Sequence, residues 1–165
     1  YSLGRFFAEA ARQPWFENTI FLVTADHCAS SAGRTEIPLQ KYHIPALILA
    51  PGLIEPGVVD GIVSQIDLMP TLLSLLNMSY DSHFYGRSIF DPAYVNRAFI
   101  ATYQDLGYLE GDTFTILSPV RRFEQYRVVP TEENPHHLET MERKDAMQVD
   151  RAIGYYQTSC KWNKR

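Results

Sequence analysis

Asn18-Thr-Ile-Phe-Leu-Val-Thr-Ala-Asp-His27 is the stretch that decides the architecture. Thr19 to Thr24 is β-branched and aromatic with no polar alternation, the pattern of a strand buried on both faces of a parallel sheet. It runs directly into Ala25-Asp-His-Cys-Ala-Ser-Ser-Ala-Gly-Arg34, which is small and polar and therefore a loop at the strand's carboxyl end. Upstream, Leu3, Phe6, Phe7, Ala10 and Ala11 follow helical spacing, so a helix is expected over Ser2 to Arg12, capped by Ser2 and closed before Pro14. Downstream, Pro45-Ala-Leu-Ile-Leu-Ala50 is a second short apolar run that predicts another buried strand, ended by Pro51-Gly52. Asp67 can cap a helix with Pro70 in its first turn and an apolar face of Leu68, Leu72, Leu75 and Leu76. Short strands are expected at Phe99 to Thr102, Phe114 to Leu117 and Phe123 to Val129, as an antiparallel edge group. A terminal helix is expected within Leu138 to Tyr156. Together these elements predict an α/β fold, with helices against a largely parallel sheet and ligands outside the carboxyl ends of the strands.

The chain has 165 residues, enough for one domain and its core. Hydrophobic residues make up 45% and charged residues 21%, which excludes a disordered or fibrous chain. A net charge of -4 argues against a nucleic-acid partner. Residues 121–165 carry 9 basic and 7 acidic side chains, interleaved as on a solvated face. No apolar run approaches the roughly 18 residues of a membrane-spanning helix. The two cysteines, Cys28 and Cys160, leave one bridge or two free thiols open. The chain opens at Tyr1 without Met and with helical spacing already under way, which predicts that it begins inside a larger protein.

Chemistry centres on Asp26 and His27. A carboxylate oxygen and a neutral imidazole nitrogen form a ligand set that zinc and manganese accept, although an Asp-His pair also serves as an ordinary polar turn. His43, in Lys41-Tyr-His-Ile-Pro45, lies just before the second strand, where a structural histidine is the simpler reading. The pair His136-His137 has no carboxylate at ligand spacing and reads as surface. There is no G-x-S-x-G elbow, phosphate-binding P-loop or G-x-G-x-x-G fingerprint, which removes the usual signatures of serine hydrolases, P-loop enzymes and dinucleotide enzymes.

Four segments occur in order: Asn18 to His27, Tyr42-His-Ile-Pro-Ala-Leu-Ile-Leu-Ala-Pro-Gly52, Ser64-Gln-Ile-Asp-Leu-Met-Pro-Thr-Leu-Leu73 and Phe84-Tyr-Gly-Arg-Ser88. This series resembles the C-terminal part of a sulfatase-like protein of the alkaline phosphatase superfamily, nearest to the lipoteichoic acid synthase and phosphoglycerol transferase branch. The resemblance covers about residues 1–118 and implies that 1–165 is the C-terminal portion of a sulfatase-like catalytic domain. Residues 119–165 stand as an extension of that domain without a placed motif. It implies an alkaline phosphatase-like fold and a metal-dependent phosphoglycerol transferase or sulfatase-like hydrolase of phosphate or sulfate esters. Asp26 and His27 match the ligands of a catalytic manganese or zinc. His43 matches a histidine near a second metal or the substrate phosphate in related phosphoethanolamine transferases, and Ser31 matches a phosphoglycerol contact. The nucleophile, and the acidic ligand that completes the metal site, are expected upstream of residue 1. No residue here takes either role, and this stretch alone is expected to be inactive. The implied partners are a phosphate- or sulfate-ester substrate, such as lipid-linked glycerol phosphate, and the missing N-terminal half of the same protein. The implied setting is the exported catalytic domain, on the periplasmic or extracellular face, of a bacterial inner-membrane protein. Two further readings stand beside it: a non-catalytic binding or regulatory module on the same scaffold, and a soluble metal-binding protein.

Overall fold

The computed structural model describes residues 1–28 and 37–162. Helix α1 spans Ser2–Ala10 and a 3-10 turn covers Phe16–Asn18. The expected cap at Ser2 is corrected. Tyr1 holds the N-cap position, without a side-chain bond, because its carbonyl already accepts the Arg5 N–H at 3.0 Å and takes Ser2 into the helix. Strand β1, Phe21–Thr24, follows, and its Phe21 ring meets those of Phe6, Phe7, Trp15 and Phe16 at centroid distances of 5.4 to 6.2 Å. This aromatic cluster fixes α1 against the strand.

Strand β2, Ala46–Leu49, pairs antiparallel with β1, Phe21 opposite Leu49 and Thr24 opposite Ala46. The expectation of a largely parallel sheet is therefore corrected: among the described residues every strand pairing is antiparallel. A continuous apolar run signals burial and not direction, and the connection into β2 contributes a 3-10 turn at Leu39–Lys41 that returns the chain reversed. Nor are β1 and β2 buried on both faces, since Leu47 is 50% exposed. Among the described residues this sheet has two strands, and it packs through Phe21.

Helix α2, Leu68–Leu75, follows a 3-10 turn at Gln65–Asp67 and carries Pro70 in its first turn, as expected. It ends with Asn77 at a left-handed φ of 53°, the Asn77 N–H bonding Ser74 O and the Met78 N–H bonding Leu73 O. The second half is a five-stranded antiparallel meander: β3 Arg97–Ala101, β4 Leu106–Glu110, β5 Thr113–Ser118, β6 Arg122–Val128 and β7 Leu138–Thr140. The antiparallel edge group is thus present and larger than expected. Helix α3 covers Ala146–Trp162. The expected helix over Leu138 to Tyr156 is corrected at its start: Leu138 pairs with Val128 in β7, and Asp145 Oδ1 accepts the Gln148 N–H in the manner of an N-cap.

Both faces of the sheet are covered. On one, Ile100 and Phe114 pack with Ile37 and Leu39, with Tyr42, Leu109 and Tyr126 around them. On the other, the row Phe99, Tyr108, Thr115 and Gln125 faces α3, where Thr115 Oγ1 and Gln125 Nε2 both donate to Gln148 Oε1. Gln148 Nε2 in turn donates to Thr113 O, so the buried amide is satisfied. Tyr156 reaches back across the sheet to donate to Gly107 O and Ile100 O, and burial pushes its phenol up to about 12. Burial likewise raises Tyr108, helped by its 2.5 Å bond to Glu110. These phenols lose their protons later folded than unfolded. Their contribution to stability is complete below the ordinary tyrosine value near 10, and it disappears as pH climbs from there through about 12. We expect phenolate absorbance to show Tyr108 and Tyr156 titrating together with unfolding. Their ionisation at about pH 10 in a chain that stays folded would contradict this.

Candidate functional site

The antiparallel return of β2 assembles the site. Because Thr24 lies opposite Ala46, the residues entering β2 sit at the carboxyl end of β1, beside the residues leaving it. The Ala25 N–H and the Thr24 hydroxyl both donate to Pro45 O, tying the two segments together. His43, assigned from sequence to the approach to β2, is thereby brought next to the Asp26 turn. Cys28 Sγ donates to His43 O at 3.3 Å, which gives that thiol a structural task. Both cysteines are free, which settles the question left open by their number.

Asp26 and His27 form a compact pair. Asp26 Oδ1 accepts the His27 N–H at 2.9 Å. The His27 Nδ1 lies 2.7 Å from Cys28 O, and since a carbonyl only accepts, Nδ1 must carry the proton. In the neutral ring this leaves Nε2 bare, 3.5 Å from Asp26 Oδ2. Both side chains are largely exposed, so water or a cation can bridge these two electron-pair donors. A backbone carbonyl that fixes the histidine tautomer is also the usual outer support of a metal-bound imidazole. The donor set therefore fits a divalent ion of borderline hardness. It is partial: among the described residues no three of His, Cys, Asp or Glu are grouped to hold a metal.

Support for the turn comes from a segment that carries no chemistry of its own. Gln65 Nε2 donates to Ala25 O at 3.1 Å, linking the 3-10 turn before α2 to the residue preceding Asp26. That turn is itself anchored by Asp67. The expected role of Asp67 as a cap of α2 is corrected. Its carboxylate bonds nothing in the first turn of α2. It accepts instead from Ser64 N, Arg87 N, Tyr94 Oη and both terminal nitrogens of Arg97. Glycine at position 86 lets the Phe84 to Ser88 segment reach this carboxylate, because a Cβ there would stand 2.0 Å from Ile66 O. All four ordered segments of the sequence are therefore physically connected to one another, directly or through Asp67. Ser31 lies outside the described residues.

One residue read from sequence as surface belongs to this region. His136, in the β6–β7 connection, packs edge-on against His43 with ring centroids 5.3 Å apart and an interplanar angle of 85°. Burial, and to a lesser degree His43, hold its pKa below the ordinary histidine value. Nothing in the local sequence pointed to this contact, which joins residues 93 positions apart.

The Sulfatase family model matches residues 1–78, the part that contains β1, β2, α2 and the Asp26 turn. The chain is also similar to the crystal structure of a protein in the alkaline phosphatase superfamily from Vibrio parahaemolyticus. The two share 30% identity and superpose with a TM-score of 0.87 over 99% of this chain, which spans 40% of that protein. The chain therefore has the alkaline phosphatase-like fold of the corresponding portion of that protein, with its first 78 residues similar to the Sulfatase family.

Proposed function

We propose that this chain is part of a metal-dependent enzyme acting on phosphate or sulfate esters, with transfer of phosphoglycerol as its reaction and hydrolysis of a sulfate ester as the alternative within the same chemistry. The observation that carries the reading is the His27 tautomer, fixed by Cys28 O so that Nε2 faces Asp26 Oδ2. Asp26 and His27 hold manganese or zinc. When bound, that ion supplies positive charge to the ester oxygens as the bond to phosphorus or sulfur rearranges. His43 stands at the same end of the β1–β2 ribbon and contacts the substrate's anionic group. The nucleophile and the remaining ligands come, in this reading, from chain preceding Tyr1. The site works on the exported face of a bacterial inner membrane, with lipid-linked glycerol phosphate as one substrate. Support for this setting is the resemblance of the four ordered motifs. No helix among the described residues is long and apolar enough to cross a membrane.

Titration of manganese or zinc into the chain tests the proposal by calorimetry. Binding should weaken by more than about tenfold in Asp26→Ala and again in His27→Ala, as expected when one of few ligands is lost. Equal binding by Asp26→Ala would sink it. A second reading, a non-catalytic binding or regulatory module on this scaffold, has one observation in its favour: the described residues supply two ligands where a zinc site uses about four. It predicts that the intact chain shows no metal response that depends on Asp26.

A further inference from the structure

Asp26 and His27 owe little of their placement to packing. Their side chains are 86% and 64% exposed, so where the carboxylate and the imidazole stand has to be set through the backbone. Hydrogen bonds within the turn relate the two residues to each other, Asp26 Oδ1 accepting the His27 N–H and His27 Nδ1 donating to Cys28 O. Those bonds do not relate the pair to the rest of the fold.

The peptide before Asp26 does. The Ala25 carbonyl and the Asp26 N and Cα lie in one plane, so whatever holds Ala25 O sets the point and direction from which the Asp26 side chain leaves. Ala25 is half-buried; its N–H bonds Pro45 O at 3.4 Å and its carbonyl accepts Gln65 Nε2 at 3.1 Å. The Thr24 hydroxyl lies 3.2 Å from the same carbonyl, but it shares its single proton with Pro45 O at 3.3 Å, so the Gln65 amide supplies the full bond. An exposed glutamine ordinarily samples many rotamers and holds little. Here its backbone is locked from both sides. Ser64 and Asp67 form a reciprocal capping box around it, and the Asp67 carboxylate, 0% exposed, is gathered in turn by Arg87 N, Tyr94 Oη and Arg97. The amide reaches Ala25 O from a fixed base.

We infer that Gln65 is a positioning residue for the Asp26 turn: through Ala25 O it fixes the Asp26 carboxylate and, through the bond from His27 N to that carboxylate, the imidazole. It thereby carries the rigidity of the buried Asp67 cluster out to two exposed ligands. This rests on the proposed metal-dependent reading and adds to it an uncharged residue 40 positions beyond Ala25.

The test is Gln65→Met, which keeps the length of the side chain and removes the donor. In the metal-free chain at about pH 8, where an ordinary imidazole is neutral, the ring nitrogen shifts of His27 report the proton on Nδ1. In Gln65→Met they should move toward those of a histidine free to exchange tautomers. Manganese and zinc, titrated by calorimetry, should bind about three- to tenfold more weakly, a smaller loss than removal of a group bonded directly to a ligand brings. Thermal unfolding should shift by no more than about 4 °C, the scale of one exposed hydrogen bond. A larger shift would make Gln65 a part of the fold's general stability and overturn the inference. Unmoved His27 signals overturn it too, since a fall in affinity alone would place Gln65 at the ion and not behind the turn, and so does unchanged metal affinity. Asp26→Ala separates this outcome from the reading beneath it. Weaker binding in Asp26→Ala with none in Gln65→Met removes the positioning role and leaves the metal site, whereas equal binding by the parent and both variants removes both.

Discussion

Arg97→Ala should lower folding stability by about 3–5 kcal/mol, because it breaks a buried ion pair and leaves one charge behind. Asp67 is 0% exposed and Arg97 is 2% exposed, and the guanidinium meets the carboxylate through two nitrogens at 3.1 and 3.2 Å. The Arg97 guanidinium also lies 5.5 to 5.7 Å from the ring centroids of Tyr94, Phe99 and Tyr155, so the cation is enclosed by aromatic faces. Burial, the largest single influence, presses Arg97 toward losing its proton. Asp67 and Tyr155 together outweigh it, so its pKa stands above the ordinary value. Without Arg97, the Asp67 carboxylate keeps only the Ser64 and Arg87 N–H groups and the Tyr94 hydroxyl. Tyr94→Phe, which removes one neutral donor and no charge, should lower stability by only about 1 kcal/mol. Urea unfolding of the two variants checks both figures. A loss below about 1 kcal/mol for Arg97→Ala would mean that water or a protonated Asp67 replaces the guanidinium. The site should feel the same change, since Asp67 anchors the turn from which Gln65 holds Ala25 O.

That network explains why parts of the site were legible in sequence and parts were not. Asp26 and His27 could be placed because their position depends on local order alone: an apolar strand run, then a polar turn. Helix α2 was legible for the same reason, through Pro70 and the leucine spacing. Asp67 was legible as a helix-start residue, yet its partners Arg87, Tyr94 and Arg97 are 20 to 30 residues away and no local signal distinguishes a capping carboxylate from a buried one that gathers donors. Strand direction was illegible at β1 and β2, since apolar composition reports burial and not polarity of the chain. That error had a functional side: a parallel partner would carry its amino end, and His43, away from Asp26, whereas the antiparallel one brings them together. Strand β4 escaped notice because Gly107 interrupts it. Glycine is needed there, since a Cβ would stand 2.8 Å from the Phe114 ring that fills the core above it. His136 was read as surface because its contact partner lies in a different half of the chain. Tertiary pairing, and not propensity, decided each of these.

Gly86→Ala should be as severe as the loss of Arg97, through backbone sterics and not charge. A methyl group on residue 86 would meet Ile66 O at 2.0 Å, Ile66 C at 2.5 Å and Asp67 N at 2.9 Å, all of them backbone atoms that cannot rotate away. Either the 3-10 turn or the Phe84 to Ser88 segment must move by about an ångström or more, and each is pinned. On one side, Ser64 and Asp67 form a reciprocal capping box and Thr71 Oγ1 donates to Asp67 O. On the other, Arg87 N donates to Asp67 Oδ1 at 2.9 Å and Ile89 N donates to Thr71 Oγ1 at 3.1 Å. The segment beyond Gly86 is the weaker of the two, because α2 does not depend on it, so its two bonds should be the ones to break. Overpacking plus two lost part-buried hydrogen bonds implies about 3 kcal/mol. A steric origin has its own signature: Gly86→Ala combined with Arg97→Ala should fall short of the sum, since both act on Asp67, whereas Gly86→Ala combined with a distant change such as Gln148→Ala should be additive. Full additivity of the first pair in a double-mutant cycle would show that Gly86 and Asp67 stabilise the fold independently. In that case the close approach at Ile66 would serve only to pack the segment, and not to deliver the Arg87 N–H to the carboxylate that holds the site's supporting turn.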